Sequence, residues 1–238
     1  MRVDNEQRIG TYRHPLISYL GGCFAWLGQG VKRKTTVAII GGAAKKRYFP
    51  QNYKGQIWGI NGGCGGKAVP GFSVMFNIHR FKLLKQYGYN FEAEKRMRQP
   101  IWTADAWPKG WLKDPAIFPA KAMSRVMPRG HYHCGSADWL VAFAIWISLN
   151  KNIPYRFTQI DLHGWNLIIE AGEPISARAC LEYWCGYAEA SGIKVNIAPD
   201  CNIFHYYHLV KSKRTYGYDD CPMFVDETRR GQPYDYRD

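Results

Sequence analysis

The chain has 238 residues, of which 46% are apolar and 15% aromatic, and its 32 Lys and Arg against 19 Asp and Glu give a formal charge of +13. That apolar content excludes a disordered or low-complexity chain. No apolar run approaches the ~18 residues that span a bilayer, and acids at Asp4 and Glu6, with no apolar core followed by a cleavage site, argue against a signal peptide.

The charge is uneven along the chain. Residues 1–34 carry +4, residues 35–130 carry +12, residues 131–205 carry −3 and residues 206–238 are neutral. A stretch as basic as 35–130 suits an acidic partner such as nucleic acid or a phosphorylated ligand. Seven cysteines are spaced irregularly, with no C-x-x-C pair. They read as reduced, mostly buried thiols. Cys180, Cys185, Cys201 and His205 lack the spacing of a zinc knuckle, so no metal site is expected.

In chain order, residues 1–34 read as an N-terminal arm. Its apolar patch (Leu16, Ile17, Tyr19, Leu20, Phe24, Trp26, Leu27) would pack on the body or on a second subunit, which makes a homodimer conceivable. Thr35–Ile40 is a β-branched run without alternation, the mark of a strand buried on both faces. It ends in Gly41-Gly42-Ala43-Ala44. Strands follow at 56–61 and 72–77, and a helix is predicted from His79 towards Gln99. Residues 100–130, rich in Pro and Trp, read as a long irregular loop, a feature more often functional than not. Residues 136–150 form a helix apolar nearly all round, hence buried beneath other layers. A strand at 156–161 and a helix opening at Glu173-Pro174 come next. Gly192 closes that helix in a left-handed cap. The last predicted strand is 194–198, and residues 206–238 wrap the surface. Strands alternating with helices give an α/β fold with a Rossmann-like, mainly parallel sheet flanked by helices. The predicted domain is 35–205, between the arm 1–34 and the extension 206–238.

Such a sheet binds ligands beyond the carboxyl ends of its strands. Gly41, Gly42 and Ala43 would let a backbone approach a phosphate closely. Asn61, past the second strand, offers donor and acceptor to a base or sugar edge. His79, past the third strand, suits acid–base work or a phosphate. Cys134, Gly135 and Ser136 stand where the helix beginning at 136 has unpaired N–H groups, with His133 before them. Asp161 and His163 follow the fourth strand, where a carboxylate can hold a ribose hydroxyl or orient an imidazole.

The order V-A-I-I-G-G-A-A, I-W-G-I-N, M-F-N-I-H, H-C-G-S-A-D-W-L-V-A-F-A-I, Q-I-D-L-H-G and R-A-C-L-E-Y-W-C-G-Y-A-E-A-S-G-I-K-V resembles a group of bacteriophage-encoded Rossmann-like proteins. These are relatives of the family 42 sialyltransferases and of the motility accessory factor glycosyltransferases. The resemblance spans about residues 35–200. It implies a GT-A-like fold variant in which Gly41, Gly42 and Ala43 lie against the donor phosphate and Asn61 contacts the nucleotide. Cys134, Gly135 and Ser136 would wall the donor pocket, and Asp161 would stand at its back. The chain departs from the pattern in lacking a hydroxyl after the first turn and in having Gln159 where Gly is usual. The downstream catalytic His could be His163 or His205.

The expected activity is transfer of a sugar from a nucleotide sugar to a hydroxyl, without metal or bound cofactor. His79, His133 or His163 would be the base. Lys45, Lys46 and Arg47 would steady the departing phosphate, and the Trp-rich loop would exclude water. The basic stretch suits a DNA acceptor, such as a hydroxymethylated base extruded from the stack. Trp102, Trp107 and Trp111 would then stack on bases. The expected setting is the cytoplasm of an infected bacterium, away from membranes. A non-catalytic nucleotide or nucleic-acid binding protein is the alternative.

Overall fold

Seven runs of the chain pair into one sheet in which every neighbouring pair is parallel. They are β1 (Arg33–Ile40), β2 (Gln56–Ile60), β3 (Val74–Asn77), β4 (Ile101–Thr103), β5 (Pro115–Ile117), β6 (Tyr155–His163) and β7 (Lys194–Ile197). The sheet order is β5-β4-β3-β2-β1-β6-β7. Among the described residues the helices are α1 (Phe81–Gln86), α2 (Glu92–Arg96), α3 (Ala120–Val126), α4 (Ser136–Leu149) and α5 (Ile175–Ala190). The computed structural model describes residues 33–203 apart from 64–65, 113–114, 151–152, 154, 166, 168–174 and 202. All of these belong to one compact unit. The arm before residue 33, the extension 206–238, His205 and the helix opening at Glu173-Pro174 lie outside the described residues. Among the described residues no helix is long and apolar enough to cross a membrane.

The arrangement is Rossmann-like, and its two faces follow from the handedness of crossovers. Successive steps from β1 to β5 run one way across the sheet, whereas β5 to β6 and β6 to β7 run the other way. Right-handed connections therefore put α4 and α5 on the same face and the β1–β5 connections on the opposite face. Ten of the fourteen α4 residues are buried, as its all-round apolar sequence demands. Phe143 of α4 meets Trp58 of β2, Phe76 of β3 and Trp102 of β4 at ring separations of 5.3–5.9 Å. On the opposite face Ala38, Ile40, Phe49 and Ile57 form a smaller core, with Tyr53 and Phe72 against it. That face is covered by single 3-10 turns and the short α1 and α2.

Two expectations change. The predicted helix from His79 to Gln99 is two short helices, α1 and α2, separated at Gly88, which has φ 66°. The supposed loop 100–130 holds two strands and a helix. Ile101–Thr103 pairs with β3, and Pro115 opens β5, an edge strand where its missing N–H does no harm. α4 begins at Ser136, as predicted, with Gly135 as its N-cap. The cap on α5 is as predicted. Gly192 has φ 78°, its N–H bonds Glu189 O, and the Ile193 N–H bonds Ala188 O, both at 2.9 Å.

β1 and β6 share the longest ladder, from Arg33↔Tyr155 to Ile40↔His163. Past its end the chains stay in contact through backbone. The Gly41 N–H bonds His163 O at 2.8 Å and the Ala43 N–H bonds Gly164 O at 3.0 Å. A Cβ on Gly164, which has φ 68°, would run into the backbone of Ala43 and Ala44, and one on Gly41 would strike the Gly164 carbonyl. Gly164→Ala should therefore cost at least about 3 kcal/mol. Gly186→Ala, in mid α5 with open space around it, should add about 0.5–1 kcal/mol. Urea titration of the two variants checks both signs.

Candidate functional site

The strand order reverses between β1 and β6, and in parallel sheets a crevice opens at such a point beyond the carboxyl ends. Gly41, Gly42 and Ala43 stand on one side of it, His163 and Gly164 on the other. The amides expected to cradle a phosphate are largely committed. Besides the Gly41 and Ala43 bonds, the Ala44 N–H bonds Gly41 O at 3.3 Å. The Lys45 N–H donates to Asp200 Oδ2 at 2.7 Å, and the Gly164 N–H donates to Asp200 Oδ1 at 3.0 Å. An internal carboxylate thus occupies a nest of amides at the crevice. β1 is followed by one 3-10 turn, Lys46–Tyr48, with no α-helix to aim its dipole at the glycines. Gly42 and Ala43 remain exposed, as do Lys45, Lys46 and Arg47. The Arg47 guanidinium lies 4.7 Å from the centre of the Tyr48 ring.

Beneath the crevice Asp161 is buried, and both its oxygens are engaged by neutral donors. Tyr53 OH donates to Oδ2 at 2.7 Å, and Gln159 Nε2 and Asn196 Nδ2 donate to Oδ1 at 2.8 and 2.6 Å. Burial is the main cause that raises the Tyr53 phenol far above its usual range, and Asp161 adds to it. Tyr53 therefore remains a neutral donor. The carboxylate ties β6, β7 and the β1–β2 connection together. His163 packs edge-on to Phe49 at 5.0 Å, and its Nδ1 is buried without a hydrogen bond. Burial lowers its basicity, against the pull of Asp200 and Asp161. Its imidazole is held neutral.

The other predicted residues form two further groups. At the ends of β2 and β3, Asn61 has φ 40° and is half-buried, and His79 is exposed. Between them sits a buried pair, with Asn77 Nδ2 donating to Glu94 Oε1 at 2.8 Å, and Tyr89 OH donating to the same oxygen. At the start of α4, Asp138 Oδ2 accepts the amides of Cys134 and Gly135 at 2.7 and 3.1 Å. His133 is stacked between Trp139 and Trp184, with ring centres 3.5 and 4.9 Å away, and its Nδ1 stands 3.6 Å from Asp138 Oδ1.

The three tryptophans expected to stack on bases are placed otherwise. Trp102 is buried in β4 between Phe76 and Phe143. Trp107 is buried against Phe81 and Phe91. Trp111 is half-buried at the edge of that cluster, under Lys95 Nζ at 4.3 Å. The faces of Trp102 and Trp107 are taken by protein. Sequence reasoning missed Asp200, Tyr53, Asp138 and Glu94. Asp200 had a signal of the same kind as Asp161, a carboxylate just past a strand. Comparison with protein families, curated proteins and solved structures finds no match.

Two outcomes follow from this geometry. Asp161→Ala strands three donors and should cost about 3 kcal/mol, against about 1 kcal/mol for Tyr53→Phe, by urea titration. For His163 the unfolded imidazole takes a proton near pH 6.5 while the folded one resists it. Its share of stability is therefore complete above about pH 6.5 and is lost as pH falls below it, with a slope of at most about 1.4 kcal/mol per pH unit. Stability curves between neutral and mildly acid pH should be flatter for His163→Gln than for the parent.

Proposed function

We propose that the chain is a glycosyltransferase that carries a sugar from a nucleotide-sugar donor to a hydroxyl acceptor, with the donor seated over the carboxyl ends of β1 and β6. The observation that carries this reading is the reversal of strand order at that point, with three exposed cations, Lys45, Lys46 and Arg47, immediately beyond it. Because the neighbouring amides already serve Asp200 and Gly164, these side chains rather than a backbone cradle would neutralise the leaving phosphate. His79, exposed at the end of β3, is the imidazole placed to take the acceptor proton; His133, expected as an alternative base, is shut between Trp139 and Trp184 with its side chain buried. The buried, neutral His163 would contact the ligand at the floor of the crevice.

A DNA acceptor, in particular a base bearing a hydroxymethyl group, is supported by the exposed Lys67 and Arg80, which continue the basic row on the connections leaving β2 and β3. Contact would be to phosphates, since Trp102 and Trp107 are committed to the core.

A second reading is a nucleotide-binding protein without turnover. The engagement of Asp161 favours it, because both carboxylate oxygens already accept from Tyr53, Gln159 and Asn196 within the fold.

Incubation with a panel of nucleotide sugars and DNA bearing hydroxymethylated bases, read by nucleoside mass spectrometry, decides between them. A mass gain on the base supports transfer. Nucleotide binding with no product from any donor and acceptor supports the second reading. Replacing Lys45, Lys46 and Arg47 together by Glu should weaken nucleotide binding by roughly tenfold or more and flatten its salt dependence. Unchanged binding would remove the crevice from the reading.

A further inference from the structure

The loop that leads into α4 runs along one face of α5. At one end the Trp184 Nε1–H donates to Tyr132 O at 2.8 Å. At the other, a Cβ built on Gly135 would stand 3.6 Å from the Ala177 methyl. Residues 177, 180 and 184 share a helix face. Cys134 lies between these two contacts in the loop, and Cys180 lies between them on the helix. The two contacts on either side therefore set the two cysteines against each other across the loop–helix seam. Both are free, Cys134 exposed and Cys180 fully buried.

We propose that Cys134 and Cys180 are a reversible redox pair, in which a hydroperoxide oxidises Cys134 and Cys180 resolves the product as an intramolecular disulfide. The thiol chemistry itself does not draw on the glycosyl-transfer reading. In the first step the Cys134 sulfur attacks the peroxide. An S–O bond forms, the O–O bond breaks, and the thiol proton leaves with the released oxygen as water, or as an alcohol from an organic peroxide. In the second step the Cys180 sulfur attacks the sulfenic sulfur. The S–S bond forms, the S–O bond breaks, and the hydroxyl departs with the Cys180 proton as water. A dithiol returns the pair to its reduced form.

The order of the steps follows from the surroundings. Burial above all, with Cys134 and Asp138 adding to it, pushes the Cys180 thiol up to about 12. Cys180 therefore waits as a thiol that solvent does not reach. The other described cysteines are poor competitors. Burial also raises Cys185. The Cys201 Sγ is engaged by Leu162 O and by the Trp165 N–H at 3.3 and 3.4 Å. The disulfide would pin the loop carrying His133 to α5, at the helix end that faces the carboxyl rim of the sheet.

The test treats the full chain with hydrogen peroxide, alkylates the remaining thiols, and maps tryptic peptides 130–151 and 179–194 without reduction. The expected product joins Cys134 to Cys180 and is undone by dithiothreitol. Cys180→Ser should keep its circular dichroism and stop at a sulfenic acid on Cys134, trapped by dimedone. Cys134→Ser should slow the oxidation of Cys180 at least roughly tenfold. The proposal is overturned if Cys134 passes to a sulfinic acid or an intermolecular disulfide while Cys180 stays free. It is equally overturned if both thiols survive peroxide, or if Cys180 oxidises as fast in Cys134→Ser as in the parent.

Discussion

The close backbone approach of Gly41 and Gly164 is the constraint on which the rest of this fold depends. β1 and β6 are paired from end to end apart from one register shift at Thr158, and the contact continues past the last strand residues because neither glycine carries a side chain. The two loops then bond each other directly, through Gly41 to His163 O and Ala43 to Gly164 O. This brings the Lys45 and Gly164 amides near enough to share the Asp200 carboxylate. A loop after β7 is thereby fastened to loops after β1 and β6. The rim at the reversal point is a welded junction, and anything binding there meets side chains in place of open amides.

The same junction explains where polar groups are buried. Ala38 pairs with Asp161 and Ile40 with His163, so all four project to the face that lacks α4 and α5. On the helical face the sheet is sealed by Phe143, Trp184 and their neighbours, leaving no partner for a carboxylate. On the other face the cover is a thin set of turns, and these supply polar reach. Tyr53 comes from such a turn and meets Asp161. Asn77, also on that face, finds Glu94 from the short α2. Buried polar residues collect where the cover is loop, because a loop can bend to present a donor and a packed helix cannot.

Legibility in the sequence followed the strength of local patterns. β1 carries a β-branched run, α4 an all-round apolar face, and α5 a proline at its start and a glycine at its stop; these elements and β6 lie within two residues of their predicted bounds. The Gly192 cap was equally plain, because only one residue type suits that φ. β4 and β5 were not legible. Each has three residues, one is opened by proline, and their pairing rests on neighbours distant in sequence. The helix predicted through 79–99 ignored the break that Gly88 permits. For the site, strand-end positions such as Gly41, Asn61, His79 and His163 could be marked from sequence, since they need only the strand boundary. What those residues touch could not. The Asp200–Lys45 contact spans 155 positions and exists only because β7 and β1 both flank β6. The tryptophans misled because a Pro-rich neighbourhood reads as surface, whereas Trp102 completes a ring cluster with Phe76 and Phe143 that no local pattern announces.

The uneven charge gains meaning from the strand order. Residues 35–130, with +12, build β1 to β5, all on one side of the reversal; residues 131–205, with −3, build β6 and β7 on the other. An asymmetry along the sequence thus becomes one across the sheet, and its border falls at the crevice. The cations there point outward, as exposed Lys45, Lys46 and Arg47. The carboxylates are turned to partners within the fold, with buried Asp161 and half-buried Asp200 each accepting hydrogen bonds. The field felt by an approaching ligand is then set mainly by the outer cations, which is what an anion-binding rim requires and what a uniform coat of lysines would not produce.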